Sequence, residues 1–315
     1  MPERPADDFR PLVSILTPSL NQAAWLPDNL RSVARQTYPS IEQIVIDGGS
    51  SDDSVGVLHR LAGPHVHWQS EPDRGQSHAI NKAFARASGE ITGWLNSDDA
   101  YFDRRAVEWA VGLFAKRPDV DVVYGHAALV NADGLILQAM WSPPFSYALL
   151  RSFNFIIQPT VFLRRRAIAG SALVDEGYES SMDRELWLRL GRQVRFARVP
   201  RILAIDRHQP GRKVYTRPDL AARDAENMRR TYRIPGGRTL AGRQKLLKIA
   251  FRFVGVSLLH SIQSADLAFN GCRDGYRRLL PRQIATRRAS MPIGGDAQPT
   301  TDVESAQVSL KEIDS

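Results

Sequence analysis

The sequence contains very little cysteine: Cys272 is the one cysteine among 315 residues. A single cysteine excludes an intrachain disulfide framework and a zinc site made of several cysteines, and it is typical of a reducing compartment. The sequence also lacks a run that is long enough and uncharged enough to span a bilayer. The first eight residues are polar and offer no apolar stretch for a signal peptide. These features favour a cytoplasmic protein.

The basic residues are concentrated near the end of the chain. The formal net charge is +8, and residues 236–288 alone hold eleven lysines and arginines against two aspartates. The remainder is close to neutral, which argues against nucleic acid as a partner. Residues 243–263 place basic and apolar side chains on opposite faces of a predicted helix. Such a helix can bind an anionic membrane surface, at the inner face of the cell membrane, or pack on the preceding domain with its basic face in water.

Apolar strands alternate with one-sided helices over about the first 125 residues. This alternation predicts an α/β fold with a mostly parallel sheet and helices on both faces. In such sheets, ligands bind beyond the carboxyl ends of the strands. The predicted strands cover residues 12–17, 44–46, 66–68, 91–95 and 120–124, and the predicted helices cover residues 23–35, 53–62, 77–87, 106–115 and 184–190.

Changes in composition divide the chain into three regions. Residues 1–235 hold the α/β pattern and are predicted to form one domain. Residues 236–290 are predicted to form a basic amphipathic helical extension. Residues 291–315 are polar and are predicted to be a disordered tail.

Two adjacent carboxylates, Asp98 and Asp99, follow the predicted strand over residues 91–95. Adjacent carboxylates repel each other unless a positive group joins them, and a divalent cation with oxygen ligands would do so. Mg²⁺ in particular binds to one or two carboxylates together with phosphates of a substrate. The alternative is a helix N-terminus, where acidic side chains match the free N–H groups and the dipole.

Asp47 ends another buried strand and precedes two glycines, Gly48 and Gly49. A carboxylate at this position could accept hydrogen bonds from a base or a ribose, and the glycines would allow the backbone to approach a ligand closely. The alternative is an ordinary turn with aspartate and glycine in their usual places.

Two further positions could take part in chemistry. Asp183 opens the amphipathic segment over residues 182–190 and could act as a general base, although the segment taken alone favours an N-terminal cap with ion pairs along the helix. His208 precedes a turn and could complete a metal site, while Arg212 or Lys213 could reach phosphates. A lone histidine is more often structural or solvated.

Several ordered segments resemble the family 2 glycosyltransferases. Residues 14–19 resemble the opening strand of the family, and residues 42–52 resemble its base-binding turn. Residues 71–84 are similar to its donor-side helix, and residues 89–99 to the strand that ends in its metal-binding aspartates. Residues 182–190 are similar to the helix that carries the catalytic base. The resemblance implies a GT-A fold, with a Rossmann-like sheet flanked by helices.

The resemblance also implies roles for individual residues. Asp183 would be the catalytic base, Asp98 would contact the ribose, and Asp99 would bind the metal, Mg²⁺ or Mn²⁺, with His208 beside it. The residues expected to bind the nucleotide-sugar are Thr17, Pro18, Ser19, Asp47, Asp73, Arg74, Lys82 and Asp98.

The expected activity is inverting transfer from a nucleotide-sugar, most simply a UDP-hexose or UDP-N-acetylhexosamine, to an acceptor hydroxyl. The acceptor would be a growing surface polysaccharide or a lipid-linked glycan. The chain departs from the family pattern in two respects. Met182 stands where the base motif often has glutamate, which leaves Asp183 as the base. The Gln-x-x-Arg-Trp motif of processive synthases is absent, so one sugar is expected to be added per encounter.

Other classes of protein fit the sequence less well. A Rossmann dehydrogenase would need a Gly-x-Gly-x-x-Gly turn after the first strand, where residues 17–21 hold no glycine. A non-catalytic nucleotide-sugar-binding or membrane-docking protein with a GT-A domain would not need to retain a candidate base such as Asp183. A nucleic-acid-binding protein would rest only on the basic segment over residues 236–288.

Overall fold

The computed structural model describes residues 9–168, 170, 172–209, 211–234 and 250. They all belong to one compact unit. Apart from residue 250, the predicted basic extension and the predicted tail lie outside the described residues, so the expectations for them stay predictions. Among the described residues, no helix is long and apolar enough to cross a membrane.

The first half of the described chain alternates strands and helices. Its first strand is fully buried, and the first helix places Leu26, Leu30 and Val33 against the core. The elements are β1 (Val13–Ser19), α1 (Leu26–Ala34), β2 (Ile41–Asp47), α2 (Ser54–Leu61), β3 (Val66–Ser70), α3 (Gln76–Arg86), β4 (Ile91–Trp94), β5 (Ala100–Tyr101) and α4 (Ala106–Lys116). Each strand and helix expected from the sequence up to residue 115 is found, with ends shifted by a few residues.

The second half contains longer strands and shorter helices. The elements are β6 (Val122–Val130), β7 (Ile136–Met140), α5 (Tyr147–Ser152), a 3₁₀ turn (Gln158–Thr160), β8 (Phe162–Arg164), a second 3₁₀ turn (Arg165–Ala167), α6 (Met182–Leu190), β9 (Phe196–Arg207), α7 (Lys213–Thr216) and α8 (Pro218–Thr231). Of these, α6 and the start of β6 correspond to predicted elements.

The nine strands described here form one sheet in the order β3-β2-β1-β4-β8-β6-β9-β5, and β7 pairs with β6. Strands β3, β2, β1 and β4 are parallel, as the sequence predicts. Beyond β4 the pairing is mixed: β8 runs antiparallel to β4 and to β6, whereas β9 is parallel to β6. The carboxyl ends of β1, β4 and β9 consequently lie at one edge of the sheet.

Apolar clusters cover both faces of this sheet. On one face α3, α5 and α6 pack around Phe84 and Trp187. On the other face α4 packs around Phe114 and Val123. Burial of large side chains on both faces is expected for strands that read as continuous apolar runs. The two layers cover the faces of the sheet and leave its carboxyl edge open.

Candidate functional site

A cleft of about 580 Å³ opens at the carboxyl edge of the sheet. The ends of β1 and β4 form one wall, and residues after β9 form another. The segment before the first 3₁₀ turn and the start of α6 complete it. Such a switch point of a sheet is where α/β folds bind their ligands.

The turn that carries the two aspartates is held by a network of amide groups. The Asn96 side chain donates from Nδ2 to Asp99 Oδ2 at 3.3 Å and to Gln158 Oε1 at 2.9 Å. Its Oδ1 accepts from the indole of Trp94 at 2.8 Å and from Gln76 Nε2 at 3.0 Å. Both donors and both acceptor positions of this amide are in use. Asn96 therefore fixes the orientation of the Asp99 carboxylate.

Arg207, the last residue of β9, holds the same turn through several hydrogen bonds. Its side chain is 2% exposed and donates to the carbonyl of Asp98 at 2.8 Å, to the carbonyl of Ala132 at 3.2 Å and to Asp28 Oδ2 at 3.2 Å. Its backbone N–H donates to Asp99 Oδ1 at 3.0 Å. The buried ion pair with Asp28 thus connects helix α1 to the aspartate turn through one guanidinium.

We expect Asp28→Ala to lower the free energy of unfolding by about 3–5 kcal/mol, because it leaves the charge of Arg207 buried without this partner. Urea unfolding followed by circular dichroism measures the change. The matched control is Asp53→Ala, which breaks an exposed pair with Arg60 and should cost less than about 1 kcal/mol. Equal effects of the two substitutions would contradict a supporting role for the buried pair.

A third carboxylate, Asp206 at the end of β9, joins the two predicted ones in the cleft. Burial, followed by the nearby negative charges of Asp98 and Asp206, raises the pKa of Asp99 well above its ordinary value. Burial also raises the pKa of Asp98. Arg212 pairs with the third carboxylate, since its Nη2 lies 2.9 Å from Asp206 Oδ1. The ends of β4 and β9 therefore bring three carboxylates together at one edge of the sheet.

Carboxylate oxygens are the ligands that a hard divalent cation prefers. In the part of the chain that the structure describes, no group of three or more histidine, cysteine, aspartate or glutamate side chains is arranged to hold a metal ion. The adjacent carboxylates of Asp98 and Asp99 would suit an ion that takes its other ligands from a bound phosphate or from water, as Mg²⁺ commonly does.

His208 lies just beyond the end of β9. Its backbone N–H donates to the carbonyl of Val130 at 2.7 Å, its side chain is exposed, and it is not among the residues that line the cleft. The next residue, Gln209, is buried and donates from Nε2 to Asp98 Oδ2 at 3.3 Å. A role of His208 as a metal ligand stays a prediction, and in this conformation it would require the side chain to turn inward.

Asp183 faces the cleft from the first turn of α6. Asn154 donates from Nδ2 to Asp183 Oδ2 at 3.2 Å. Burial raises the pKa of Asp183, and the hydrogen bonds and the positive charge of Arg184 oppose that shift. A carboxyl group with a raised pKa inside a cleft is suited to proton transfer near neutral pH.

The rival carboxylate, Glu185, is directed elsewhere. It is 3% exposed, pairs with Arg189 at 3.1 Å and accepts from the hydroxyl of Tyr232 at 2.6 Å. It does not line the cleft. Of the two acids in the first turn of α6, Asp183 is the one with access to a ligand.

The predicted donor residues fall into two groups. Pro18, Ser19, Asp73 and Asp98 line the cleft. Thr17 does not line it, because it is fully buried and its Oγ1 accepts from Gln43 Nε2 at 3.0 Å.

Asp47 belongs to the second group. Its carboxylate is fully buried and accepts from the backbone N–H groups of Gly49 and Ser50 at 3.2 and 2.9 Å and from the hydroxyl of Ser70 at 2.7 Å. Gly49 adopts a φ of 84°, which a side chain would disfavour. In this conformation Asp47 stabilises its own turn and does not line the cleft.

Arg74 and Lys82 also lie outside the cleft lining. Arg74 is exposed and pairs with Glu176 at 2.9 Å. Lys82, in α3, pairs with Glu71, which lies just after β3. Their roles in binding a donor stay predictions, and each would first have to leave its acidic partner.

Several cleft residues were not among the predicted site residues: Gln76, Asn154, Gln158, Asp206, Gln209, Arg212 and Lys213. A prediction of β9 would have marked Asp206 as a candidate, because ligands bind at the carboxyl ends of strands. The amides carry no charge pattern in the sequence, so only the fold reveals them. Arg212 and Lys213 were noted solely as cations that could reach phosphates.

Comparisons with known sequences agree with this architecture. The sequence profile described as "Glycosyl transferase family 2" matches residues 14–169. An uncharacterized glycosyltransferase of Mycobacterium tuberculosis is 33% identical over 172 residues, which cover 54% of this chain and 63% of that protein. Chondroitin synthase of Pasteurella multocida is 30% identical over 195 residues, which cover 61% of this chain and 20% of that protein. The match thus spans less than two thirds of each of these relatives.

Solved structures show the same fold at low identity. The mannosyltransferase PcManGT from Pyrobaculum calidifontis, in complex with GDP-Man and Mn²⁺, has a TM-score of 0.55 at 18% identity and covers 91% of this chain and 81% of that one. TarS from S. aureus, in complex with UDP-GlcNAc, also has a TM-score of 0.55 at 18% identity and covers 64% of this chain and 59% of that one. The α/β architecture described above is therefore the GT-A fold.

Proposed function

The chain belongs to glycosyl transferase family 2 through residues 14–169, and from this premise we propose that it transfers one sugar per encounter from a nucleotide-sugar to an acceptor hydroxyl, with inversion at the anomeric carbon. The observation that carries the proposal is one cleft that presents the Asp98–Asp99 turn on one side and the carboxylate of Asp183 on another. The first is suited to a metal-bound diphosphate and the second to a hydroxyl that loses its proton.

The donor end of the cleft is assigned from its side chains. Pro18, Ser19 and Asp73 would contact the nucleoside, and Asp98 the ribose. Arg212 and Lys213 line the same cleft and would bind the diphosphate. UDP is the proposed nucleotide, in keeping with the UDP and UDP-GlcNAc complexes of TarS, and the proposed sugar is a hexose or an N-acetylhexosamine.

Asp99 is the residue proposed to hold Mg²⁺ or Mn²⁺, with the donor phosphates as further ligands and His208 as a ligand only if its side chain turns inward. Mn²⁺ is present in the neighbouring structures of PcManGT and of glucosyl-3-phosphoglycerate synthase. When bound, such an ion offsets the negative charge that grows on the departing diphosphate. The contribution of the protein is to hold Asp99 in a fixed orientation through Asn96 and Arg207.

Asp183 is the proposed general base. The acceptor oxygen forms a bond to the anomeric carbon while the bond from that carbon to the diphosphate oxygen breaks, and the proton of the attacking hydroxyl passes to the carboxylate of Asp183. Asn154 donates to one oxygen of this carboxylate and helps to orient it. A correctly placed base typically accelerates such a step by about 10²–10⁴-fold.

The acceptor is proposed to be a growing surface polysaccharide or a lipid-linked glycan on the cytoplasmic side of the membrane. Chondroitin synthase and hyaluronan synthase of Pasteurella multocida, each 30% identical to this chain over 195 residues, are named for polysaccharide products. A protein that only binds nucleotide-sugars would share the donor end of the cleft but would have no use for a carboxylate at Asp183.

A donor screen tests the proposed function. Release of nucleoside diphosphate is measured with a panel of UDP- and GDP-sugars, with and without Mg²⁺ or Mn²⁺, in the presence of water or simple sugars as acceptors. We expect release from one sugar class and only with the metal. Tight, metal-dependent binding of a donor without release, under all acceptors tried, would instead indicate a binding protein.

We also expect turnover to be lost as the pH falls, because Asp183 must be ionised to accept a proton. Burial raises the pKa of Asp183, so the acidic limb of the kcat profile should lie above the ordinary aspartate value of about 3.9. The part of the limb that belongs to Asp183 should be absent in Asp183→Asn, which keeps a similar shape but cannot titrate, so the two profiles should differ on the acidic side. A wild-type limb at or below the ordinary value would contradict the assignment.

A further inference from the structure

Asp224 in α8 is a fully buried carboxylate outside the cleft lining. Its Oδ2 accepts three successive backbone N–H groups, from Glu179 at 3.0 Å, Ser180 at 2.8 Å and Ser181 at 3.1 Å. Its Oδ1 accepts from Arg223 Nη2 at 3.2 Å. Hydrogen bonds from backbone N–H groups to an ionised carboxylate are among the stronger ones in proteins. A buried charge with this many partners is held in one position.

The three N–H groups belong to the segment that leads into α6. Ser181 is the N-cap of that helix, and its side chain makes no capping hydrogen bond. The start of the helix is therefore fixed by a carboxylate 43 or more residues away and not by its own cap. Lys213 adds a second anchor, since Nζ donates to the carbonyl of Glu179 at 3.2 Å.

The anchored segment continues directly into the cleft. Ser180, Met182 and Asp183 all line it, and Asp183 is the second residue of α6. Residues 179–181 lead directly into the first turn of α6. A shift of this segment therefore also moves the carboxylate of Asp183. A misplacement of about 1 Å can cost about 10²-fold in rate.

We propose that Asp224 is a positioning residue. By accepting hydrogen bonds from the N–H groups of residues 179–181, it fixes the first turn of α6 in the orientation that directs Asp183 to the acceptor hydroxyl. This inference rests on the proposed role of Asp183 as the base. In this proposal α8 has a function beyond packing, because it holds Asp224 against the segment that leads to Asp183.

Turnover and donor binding should separate in Asp224→Ala. Nucleoside diphosphate release from the donor found active in the screen should fall by about 10–100-fold, while calorimetry with UDP and Mn²⁺ should show unchanged affinity. Asp224→Asn retains a carbonyl oxygen that can accept part of the N–H groups, and it should recover part of the rate. The matched control is Asp219→Ala in the same helix, whose exposed side chain pairs with Arg217; its rate should stay normal.

A double-mutant cycle distinguishes positioning from general stabilisation. If Asp224 acts through Asp183, then Asp224→Ala should change turnover by less than about twofold once Asp183→Asn is already present. A full 10–100-fold loss in that background would overturn the proposal, as would normal turnover in Asp224→Ala. If Asp183→Asn alone leaves turnover normal, the role of Asp183 in the proposed function fails first. Should Asp224→Ala not fold, Asp224→Asn enters the same cycle.

Discussion

Replacing Asp183 with asparagine should lower turnover by about two to four orders of magnitude. Asparagine has nearly the same shape and can still accept a hydrogen bond, but it cannot take a proton from a hydroxyl. Calorimetry with UDP and Mn²⁺ should give an affinity close to that of the wild type, because Asp183 is assigned to the acceptor and not to the nucleotide or the metal. The loss should therefore appear in kcat and not in donor binding.

Glu185→Gln is the matched control for that substitution, since it makes the same chemical change two residues further along α6. Glu185 contacts Arg189 and Tyr232 and does not line the cleft. We expect its loss to reduce stability through these contacts while turnover per folded molecule stays near normal. Near-normal turnover in Asp183→Asn together with an inactive Glu185→Gln would transfer the role of base to Glu185.

Replacing Asp99 with alanine should abolish transfer and metal-dependent donor binding. The carboxylate is 4% exposed and is oriented by Asn96 and by the backbone N–H of Arg207, so its removal takes away the metal ligand that the turn holds in place. UDP affinity measured in Mn²⁺ should fall to the value that the wild type shows in EDTA. The fold should stay intact, as judged by circular dichroism.

An exposed aspartate serves as the control for the Asp99 substitution. Asp133 lies on the turn between β6 and β7, and Asp133→Ala should leave both transfer and metal-dependent binding unchanged. Full transfer by Asp99→Ala, or full transfer by the wild type in EDTA, would refute the metal role of this turn.

The parallel half of the sheet could be predicted because each of its signals is local. Strands β1, β2 and β4 are short, rich in apolar residues and largely buried, and the helices between them have one apolar face. Asp98 and Asp99 could be predicted for the same reason, because the end of an apolar strand and a pair of carboxylates are both visible within a few residues of sequence.

The second half could not be predicted in this way, because its pairing joins distant segments. Strand β8 runs antiparallel between β4 and β6, and β9 has a register shift against β6. The strand-end position of Asp206 follows from that pairing. Asp47 was ambiguous for another reason: a carboxylate before two glycines fits either a ligand or its own turn, and only its contacts show that the turn already uses it.

The anomeric configuration of the product tests the central claim most directly, because a single displacement assisted by Asp183 must invert the anomeric carbon. Proton NMR of the reaction, recorded early enough to precede mutarotation, shows the configuration of the sugar after transfer to water or to a simple acceptor. With an α-linked UDP-sugar donor, we expect a β product from the wild type and almost none from Asp183→Asn. An α product would contradict the account.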